Sequence, residues 1–130
     1  YGIAEKQSWV KLGGFRVEGA YKSGVSLLGQ NKDITAVIAT NNYMAAGLLL
    51  AAKDMGIVVP RDISVISFDD IVWFDLCNPP ITSVAQDTRE IGSMAAKRIL
   101  MNIRGQRYEK GLTRLPTRLI IRESCTSPRD

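Results

Sequence analysis

The stretch that decides the fold is residues 63–70, Ile-Ser-Val-Ile-Ser-Phe-Asp-Asp, an apolar run that ends in two aspartates. The run is short and rich in β-branched residues, which is typical of a strand buried on both faces at the centre of a parallel sheet. In open α/β sheets, ligands bind outside the carboxyl ends of the strands. Asp69 and Asp70 stand at that end, so the search for a site begins there.

The rest of the chain alternates between helical and strand patterns. In chain order, these are a helix from Ser8 to about Lys22, a strand at Ile34–Thr40, a helix at Tyr43–Met55, the central strand, a strand at Ile81–Val84, a helix from Gln86 to about Arg104, and a strand within Pro116–Glu123. We expect Ile34–Thr40 to lie beside the central strand, buried on both faces. The order predicts an α/β fold, a mostly parallel open sheet with helices on both faces.

Length and charge narrow the class of protein. The chain has 130 residues, enough for one domain, and its net charge of +4 is scattered without a basic run, which favours a solvated surface over a nucleic-acid patch. No apolar stretch approaches the ~20 residues needed to span a membrane, and no secretory signal opens the chain. Because the first residue is Tyr1, we expect a fragment or a processed piece.

The chain contains no histidine, so it cannot by itself build a Ser-His-Asp triad, a Cys-His pair or a histidine-ligated metal site. Cys77 and Cys125 lack any metal-like spacing and are expected to be reduced cytoplasmic thiols. Asp69 and Asp70 leave their strand on opposite sides and cannot easily flank one scissile bond. We therefore expect no enzyme activity, no metal and no cofactor.

What remains is a set of polar side chains at predicted strand ends: Asn41, Asn42, Asp69, Asp70 and Gln86. A carboxylate accepts hydrogen bonds, whereas an amide both donates and accepts them, and this mixture suits a small polyol or a nucleoside. The structural alternative is that an asparagine caps the following helix and Asp70 caps the following turn. The structural role is favoured for Asn42 and Asp70, and ligand contact is favoured for Asp69.

Two aromatic segments have alternative roles. Trp9 could stack on a sugar or base, or could simply pack in the core. Trp73 and Phe74 lie in an apolar loop, which either covers the core or forms a surface for a partner; its position outside the sheet favours the partner.

Four segments together resemble the LacI/GalR transcriptional regulators. They are Asn41-x-x-Met44-Ala45-x-Gly47, then Val59-Pro60-Arg61-Asp62-Ile63-Ser64-Val65-Ile66-x-Phe68-Asp69-Asp70, then Pro79-Pro80-Ile81-Thr82-Ser83-Val84-x-Gln86, and finally Leu115-Pro116-Thr117-Arg118-Leu119 with Arg122-Glu123-Ser124-Cys125. The likeness extends over nearly the whole chain, in order and with matching spacing.

The resemblance implies a two-lobed effector-binding module of the type I periplasmic-binding-protein fold, preceded by a helix-turn-helix segment. Residues 1–130 would be its C-terminal portion, the C-terminal lobe plus crossover segments, without the helix-turn-helix and most of the N-terminal lobe. The implied function is effector sensing and dimerisation in a cytoplasmic DNA-binding regulator, whose operator binding changes with a sugar or nucleoside-like ligand. Operator DNA would be contacted only through the missing segment, and no membrane is involved.

The resemblance also assigns residues. The family's effector contacts fall on Trp9, Asn41, Asp69 and Gln86, and its homodimer surface falls on Val10, Gly14, Leu48, Leu49, Trp73, Leu76 and Cys77. The chain departs from the family at Asn42, Ser67 and Asp87, where aspartate, glycine and proline are usual. Two alternatives stay open: a secreted sugar-binding protein of the same fold, for which an upstream signal peptide would be evidence, and an enzyme with catalytic groups from the missing lobe.

Overall fold

The structure is a computed structural model that describes residues 6–106 and 111–128. Its elements in chain order are a 3-10 turn (Gln7–Trp9), α1 (Val17–Gln30), β1 (Ala36–Ala39), α2 (Asn42–Asp54), β2 (Ser64–Phe68), a second 3-10 turn (Val72–Asp75), β3 (Thr82–Gln86), α3 (Thr88–Ile103) and β4 (Thr117–Ile120).

The four strands form one sheet in the order β1-β2-β3-β4. β2 pairs in parallel with β1 and with β3, and β4 closes the described sheet by pairing antiparallel with β3. The expected mostly parallel sheet is confirmed, and so is the central position of β2. Within β2, Val65 and Ser67 have no exposed surface.

The prediction that Ile34–Thr40 is buried on both faces is wrong. The strand is shorter, Ala36–Ala39, and it lies at the edge of the described sheet, where Ile38 is 69% exposed. Ala36 and Ile38 are exposed, whereas Val37 is half-buried and Ala39 is buried. Side chains alternate between the two faces of a strand, so within residues 6–106 and 111–128 only one face of β1 is covered. The parallel pairing with β2 is as expected, but the second covering layer is absent from the described chain.

The first helix also begins later than predicted, at Val17 rather than at Ser8. Gly14 and Phe15 have φ values of +62° and +56°, the left-handed region that an α-helix cannot contain. The two glycines therefore mark a turn before α1 and not a helical segment. Beyond it, α1 continues to Gln30.

α1 and α2 cross at very short range. A Cβ added at Gly47 of α2 would lie 2.3 Å from the carbonyl oxygen of Val17 and 2.7 Å from Cβ of Ala20. This approach lets the pair bury a shared core of Leu28, Leu48, Ala52, Ile63 and Val65. A side chain at position 47 would force the helices apart.

α3 has the predicted position but not the predicted burial. The carboxylate of its N-cap residue Asp87 accepts a hydrogen bond from the backbone N–H of Glu90. No residue of α3 is buried, although its sequence contains an apolar stripe of Ile91, Met94, Ala95, Ile99 and Ile103. Ile91 is 42% exposed and Ile99 is 61% exposed. The described part of the chain does not supply a surface that covers this stripe.

We expect Gly47→Ala to destabilise the protein, because the new methyl group would meet backbone atoms that cannot move independently. Overpacking of this kind costs about 1–3 kcal/mol. The measurement is urea unfolding followed by circular dichroism, and the matched control is Gly92→Ala in α3, where an added Cβ meets nothing within 4 Å. Equal unfolding midpoints for the two variants would contradict the close crossing.

Candidate functional site

Asp69 occupies a constrained position immediately after β2. Its φ is +67°, a left-handed conformation that few non-glycine residues adopt and that aspartate tolerates better than most. Its backbone N–H donates to the carbonyl oxygen of Val84 at 3.0 Å, so the turn is tied to the neighbouring strand β3. The carboxylate is therefore presented at a fixed place at the carboxyl end of the sheet.

Gln86, the last residue of β3, contacts Asp69 directly. Its Nε2 donates to Oδ1 of Asp69 at 2.5 Å. Because an ionised carboxylate can only accept, the amide nitrogen must face it, and the amide oxygen points elsewhere. The pair therefore offers two acceptors to a ligand, Oδ2 of Asp69 and Oε1 of Gln86.

Asn41 lies between β1 and α2 and has a structural role at the same edge of the sheet. Its Oδ1 accepts a hydrogen bond from the backbone N–H of Met44 at 2.7 Å, which makes it the N-cap of α2. Asn41 rather than Asn42 thus has the capping role. The cap uses the side-chain oxygen, and the Nδ2 group keeps its capacity to donate.

Asp70 does not cap the following turn; it forms an ion pair. Nη1 of Arg122 donates to Oδ1 of Asp70 at 2.7 Å, and Oγ of Ser83 donates to the same oxygen at 2.5 Å. The hydrogen bond from Arg122 lowers the pKa of Asp70 below its usual value, with Ser83 acting in the same direction and partial burial opposing both. Asp69 and Asp70 thus point to different partners, as their adjacency predicts.

The structure places Trp9 alongside β1. Its ring lies under Nζ of Lys6, 4.4 Å from the ring centre. Trp9 lines two hollows, one beside Ile34–Val37 at the start of β1 and one that includes Ala39 and Met44, on either side of Asn41. The indole Nε1 is buried and has no hydrogen-bond partner among the described residues.

Phe15 falls within the helix predicted from Ser8, but the structure places it in a turn. It lies in the turn before α1, with φ +56°, and is 67% exposed. This turn contacts the start of α2, because a Cβ at Gly13 would lie 3.0 Å from the methyl carbon of Met44. The signal in the sequence was the Gly13-Gly14 pair, which was assigned to a helix interior.

The predicted partner surface is largely exposed. We call Ile71–Asn78 the apolar loop; in it Trp73 is 71% exposed and Leu76 is 84% exposed. The loop borders an open groove of about 630 Å³ whose lining includes Leu49, Leu50, Val58, Cys77 and Pro79. Partial burial raises the pKa of the Cys77 thiol above its usual value.

The remaining predicted surface residues divide in two. Val10 is 51% exposed and Gly14 is exposed, so both are available to a partner. Leu48 is wrong as a surface residue: it is 5% exposed and packs in the core with Leu28 and Val65. The 3.6-residue period of α2 turns Leu48 inward, and Leu50, which is 45% exposed, faces the groove.

An open α/β sheet with hydrogen-bonding side chains at the carboxyl ends of its parallel strands defines a small-molecule-binding class of domain. The chain matches the periplasmic binding protein-like domain family over residues 1–125, and it belongs to that family.

Known relatives are transcriptional regulators. The chain is 37% identical over 123 residues to the HTH-type transcriptional repressor CytR of Escherichia coli K12, a match that covers 95% of this chain and 36% of CytR. The structure of the transcriptional regulator CelR in complex with cellobiose has a TM-score of 0.89 at 30% identity, covering 95% of this chain and 38% of CelR.

A third relative, a LacI family transcriptional regulator from Enterococcus faecium with bound ribose, has a TM-score of 0.78 at 32% identity, covering 89% of this chain and 42% of that protein. The predicted resemblance to LacI-type regulators is therefore confirmed. The chain spans little more than a third of the length of CytR. In the described parts of the chain, no helix is both long and apolar enough to cross a membrane.

The ion pair of Asp70 predicts a pH-dependent stability. Because the pKa of Asp70 is lowered in the folded state, its contribution is complete above the unfolded value near 3.8 and is lost as the pH falls through the folded value. At pH 7 we expect Asp70→Asn to cost about 1.5–3 kcal/mol, as for a hydrogen bond to a charged group. Urea titrations of both proteins from pH 7 to pH 2.5 should show the difference shrinking below pH 4; a constant difference would contradict this role.

Proposed function

We propose that this chain is the effector-sensing and dimerisation part of a LacI-type DNA-binding transcriptional regulator. It binds a small polar ligand, a sugar or a nucleoside-like molecule, and binding alters operator recognition by the full-length protein. The observation that carries the proposal is the Asp69–Gln86 hydrogen bond at the carboxyl end of two adjacent parallel strands. The similarity to ribose-bound and cellobiose-bound regulators supports the same assignment.

The site chemistry favours a ligand with several hydroxyl groups. Oδ2 of Asp69 and Oε1 of Gln86 both require donors, whereas Nδ2 of Asn41 requires an acceptor. A hydroxyl group both donates and accepts, so a polyol with neighbouring hydroxyls can satisfy all three atoms. An anionic ligand would place its charge against that of Asp69.

We propose that Trp9 supplies an aromatic face of the site, with Phe15 as a second candidate. Trp9 lines a hollow that also includes Ala39 and Met44, at the end of β1 and the start of α2, the helix that Asn41 caps. Phe15 is 67% exposed in a turn that contacts the start of the same helix. An aromatic ring at this place can stack on the apolar face of a sugar or a base.

We assign residues 1–130 to the C-terminal portion of the effector-binding domain, and the helix-turn-helix and most of the N-terminal lobe to segments outside this chain. The exposed apolar stripe of α3 supports this assignment, since such a stripe normally packs against another part of a protein. Ligand binding between the lobes changes the relative populations of their conformations, and operator affinity follows. Operator DNA is contacted only through the outside segment.

The protein acts in the cytoplasm and recognises its ligand without catalysis, in line with relatives that are regulators and not enzymes. A secreted sugar-binding protein of the same fold is the alternative. This alternative is not favoured, because the chain is similar to a transcriptional repressor over 95% of its length.

We further propose that the apolar loop and the adjoining groove form a homodimer surface. Trp73 and Leu76 are large and almost fully exposed, and the groove beside them is lined by Leu49, Leu50 and Cys77. Two-fold self-association is the commonest way in which soluble proteins cover such a patch.

Replacing Asp69 by alanine should weaken effector binding by about ten- to a hundredfold, because a hydrogen bond to a charged group contributes about 1.5–3 kcal/mol. The measurement is calorimetry on the full-length protein with cellobiose, ribose and a panel of nucleosides. Asp54→Ala is the control, since Asp54 lies at the far end of α2, where its carboxylate accepts a hydrogen bond from Tyr21. If a folded Asp69→Ala protein binds with unchanged affinity, the site lies elsewhere.

Trp73→Asp should convert a dimer into a monomer without unfolding it, because the side chain is 71% exposed and its replacement places a charge in the interface. Sedimentation velocity at tens of micromolar is the measurement. The control is Leu112→Asp, which should leave the dimer intact, since Leu112 is also exposed, at 80%, but lies outside the apolar loop. A monomeric unsubstituted protein at these concentrations would rule out the surface.

A further inference from the structure

Arg122 joins two parts of the protein that are far apart in sequence. Its Nη1 donates to Oδ1 of Asp70 at 2.7 Å, and its Nε donates to Oδ1 of Asp75 at 2.6 Å. Asp70 follows Asp69 in the ligand-site turn, whereas Asp75 lies in the apolar loop. A single guanidinium group therefore holds the site and the proposed partner surface.

The connection is rigid at the arginine. The side chain of Arg122 is only 11% exposed, and Nη1 also donates to the carbonyl oxygen of Ile81 at 2.8 Å and to Oγ of Ser83 at 3.2 Å. The planar guanidinium keeps its donors in a fixed relative geometry, unlike a lysine ammonium. A displacement of Asp75 therefore cannot be absorbed at Arg122 without disturbing Asp70.

Asp69 has little freedom to absorb such a disturbance. Its N–H is held by Val84, its carboxylate by Gln86, and its φ of +67° lies in a narrow allowed region. The planar peptide that links Asp69 to Asp70 transmits a change of orientation from one to the other. A displacement of Asp70 therefore changes the position of the Asp69 carboxylate relative to Gln86.

We propose that Arg122 is a positioning residue that couples the ligand site at Asp69 to the apolar loop. The proposal rests on the proposed function for what binds at Asp69, but the linkage itself exists without ligand. Movement of the apolar loop changes the Asp69–Gln86 hydrogen bond through Asp75, Arg122 and Asp70. By thermodynamic reciprocity, occupation of the site changes self-association through the loop.

The test uses nitrogen-15 NMR of the full chain without any ligand. The readouts are the side-chain amide resonances of Gln86, assigned by their loss in Gln86→Glu, and the exchange rate of the Asp69 backbone amide. Asp75→Ala removes only the contact of Arg122 with the apolar loop. Arg122→Lys keeps the positive charge but loses the planar set of donors that binds Asp70 and Asp75 together. Asp33→Ala is the matched control, because Asp33 is also an exposed ion-pair partner, with its side chain 57% exposed against 63% for Asp75.

We expect Asp75→Ala and Arg122→Lys both to shift the Gln86 side-chain amide resonances and to speed exchange of the Asp69 amide severalfold, whereas Asp33→Ala changes neither. If Arg122 only anchors the loop, both readouts in Asp75→Ala will equal those in Asp33→Ala. That result would overturn the coupling. No ligand enters this experiment. Its outcome is thus separate from the calorimetric test of the proposed function, which can fail while the coupling stands.

Discussion

The parallel pairing of β2 with a strand on each side is the constraint on which the site depends. Parallel strands end at the same edge of a sheet, so the residues at the carboxyl ends of β1, β2 and β3 lie along one edge although they are separated in sequence. Those residues are Asn41, Asp69 and Gln86. An antiparallel β2 would have sent Asp69 to the other edge, away from Asn41 and Gln86.

Asp70 follows Asp69 at the end of β2 and places a negative charge beside the sheet. Arg122 forms an ion pair with it. A lone carboxylate at Asp70, partly removed from water, would take up a proton or move outward. The guanidinium prevents this. Its own partial burial is tolerable because Asp70 and Asp75 neutralise its charge and the carbonyl oxygen of Ile81 accepts a further hydrogen bond from it. The site turn, the apolar loop and the end of β4 are thus interdependent, which is why a change at one of them is expected to be detectable at the others.

The sequence predicted the elements better where the pattern was local. The apolar run of β2, the helix opened by Asn41 and the helix opened by Asp87 all appear as expected, because their caps and periods lie within a few residues of each other. The predicted start of α1 was wrong, because left-handed φ values such as those of Gly14 and Phe15 do not change the spacing of apolar residues. Of the site, the proximity of Asp69 and Gln86 followed from strand order, but their direct hydrogen bond and the position of Trp9 depend on side-chain geometry that no spacing encodes.

The two failures of burial have a common physical meaning. β1 and α3 carry the apolar residues of covered elements, yet Ile38 and Ile99 are more than 60% exposed. A hydrophobic sequence pattern reflects how a residue is buried in the whole protein. The exposed fraction of its side chain depends only on the neighbours that the structure describes. Relatives more than twice as long as this chain have enough sequence to supply those neighbours. Under the proposed function, the outer edge of β1 and the stripe of α3 are the surfaces on which segments outside this chain pack. α3 begins at Thr88, two residues after Gln86, so the residue that donates to Asp69 lies beside one end of the α3 surface.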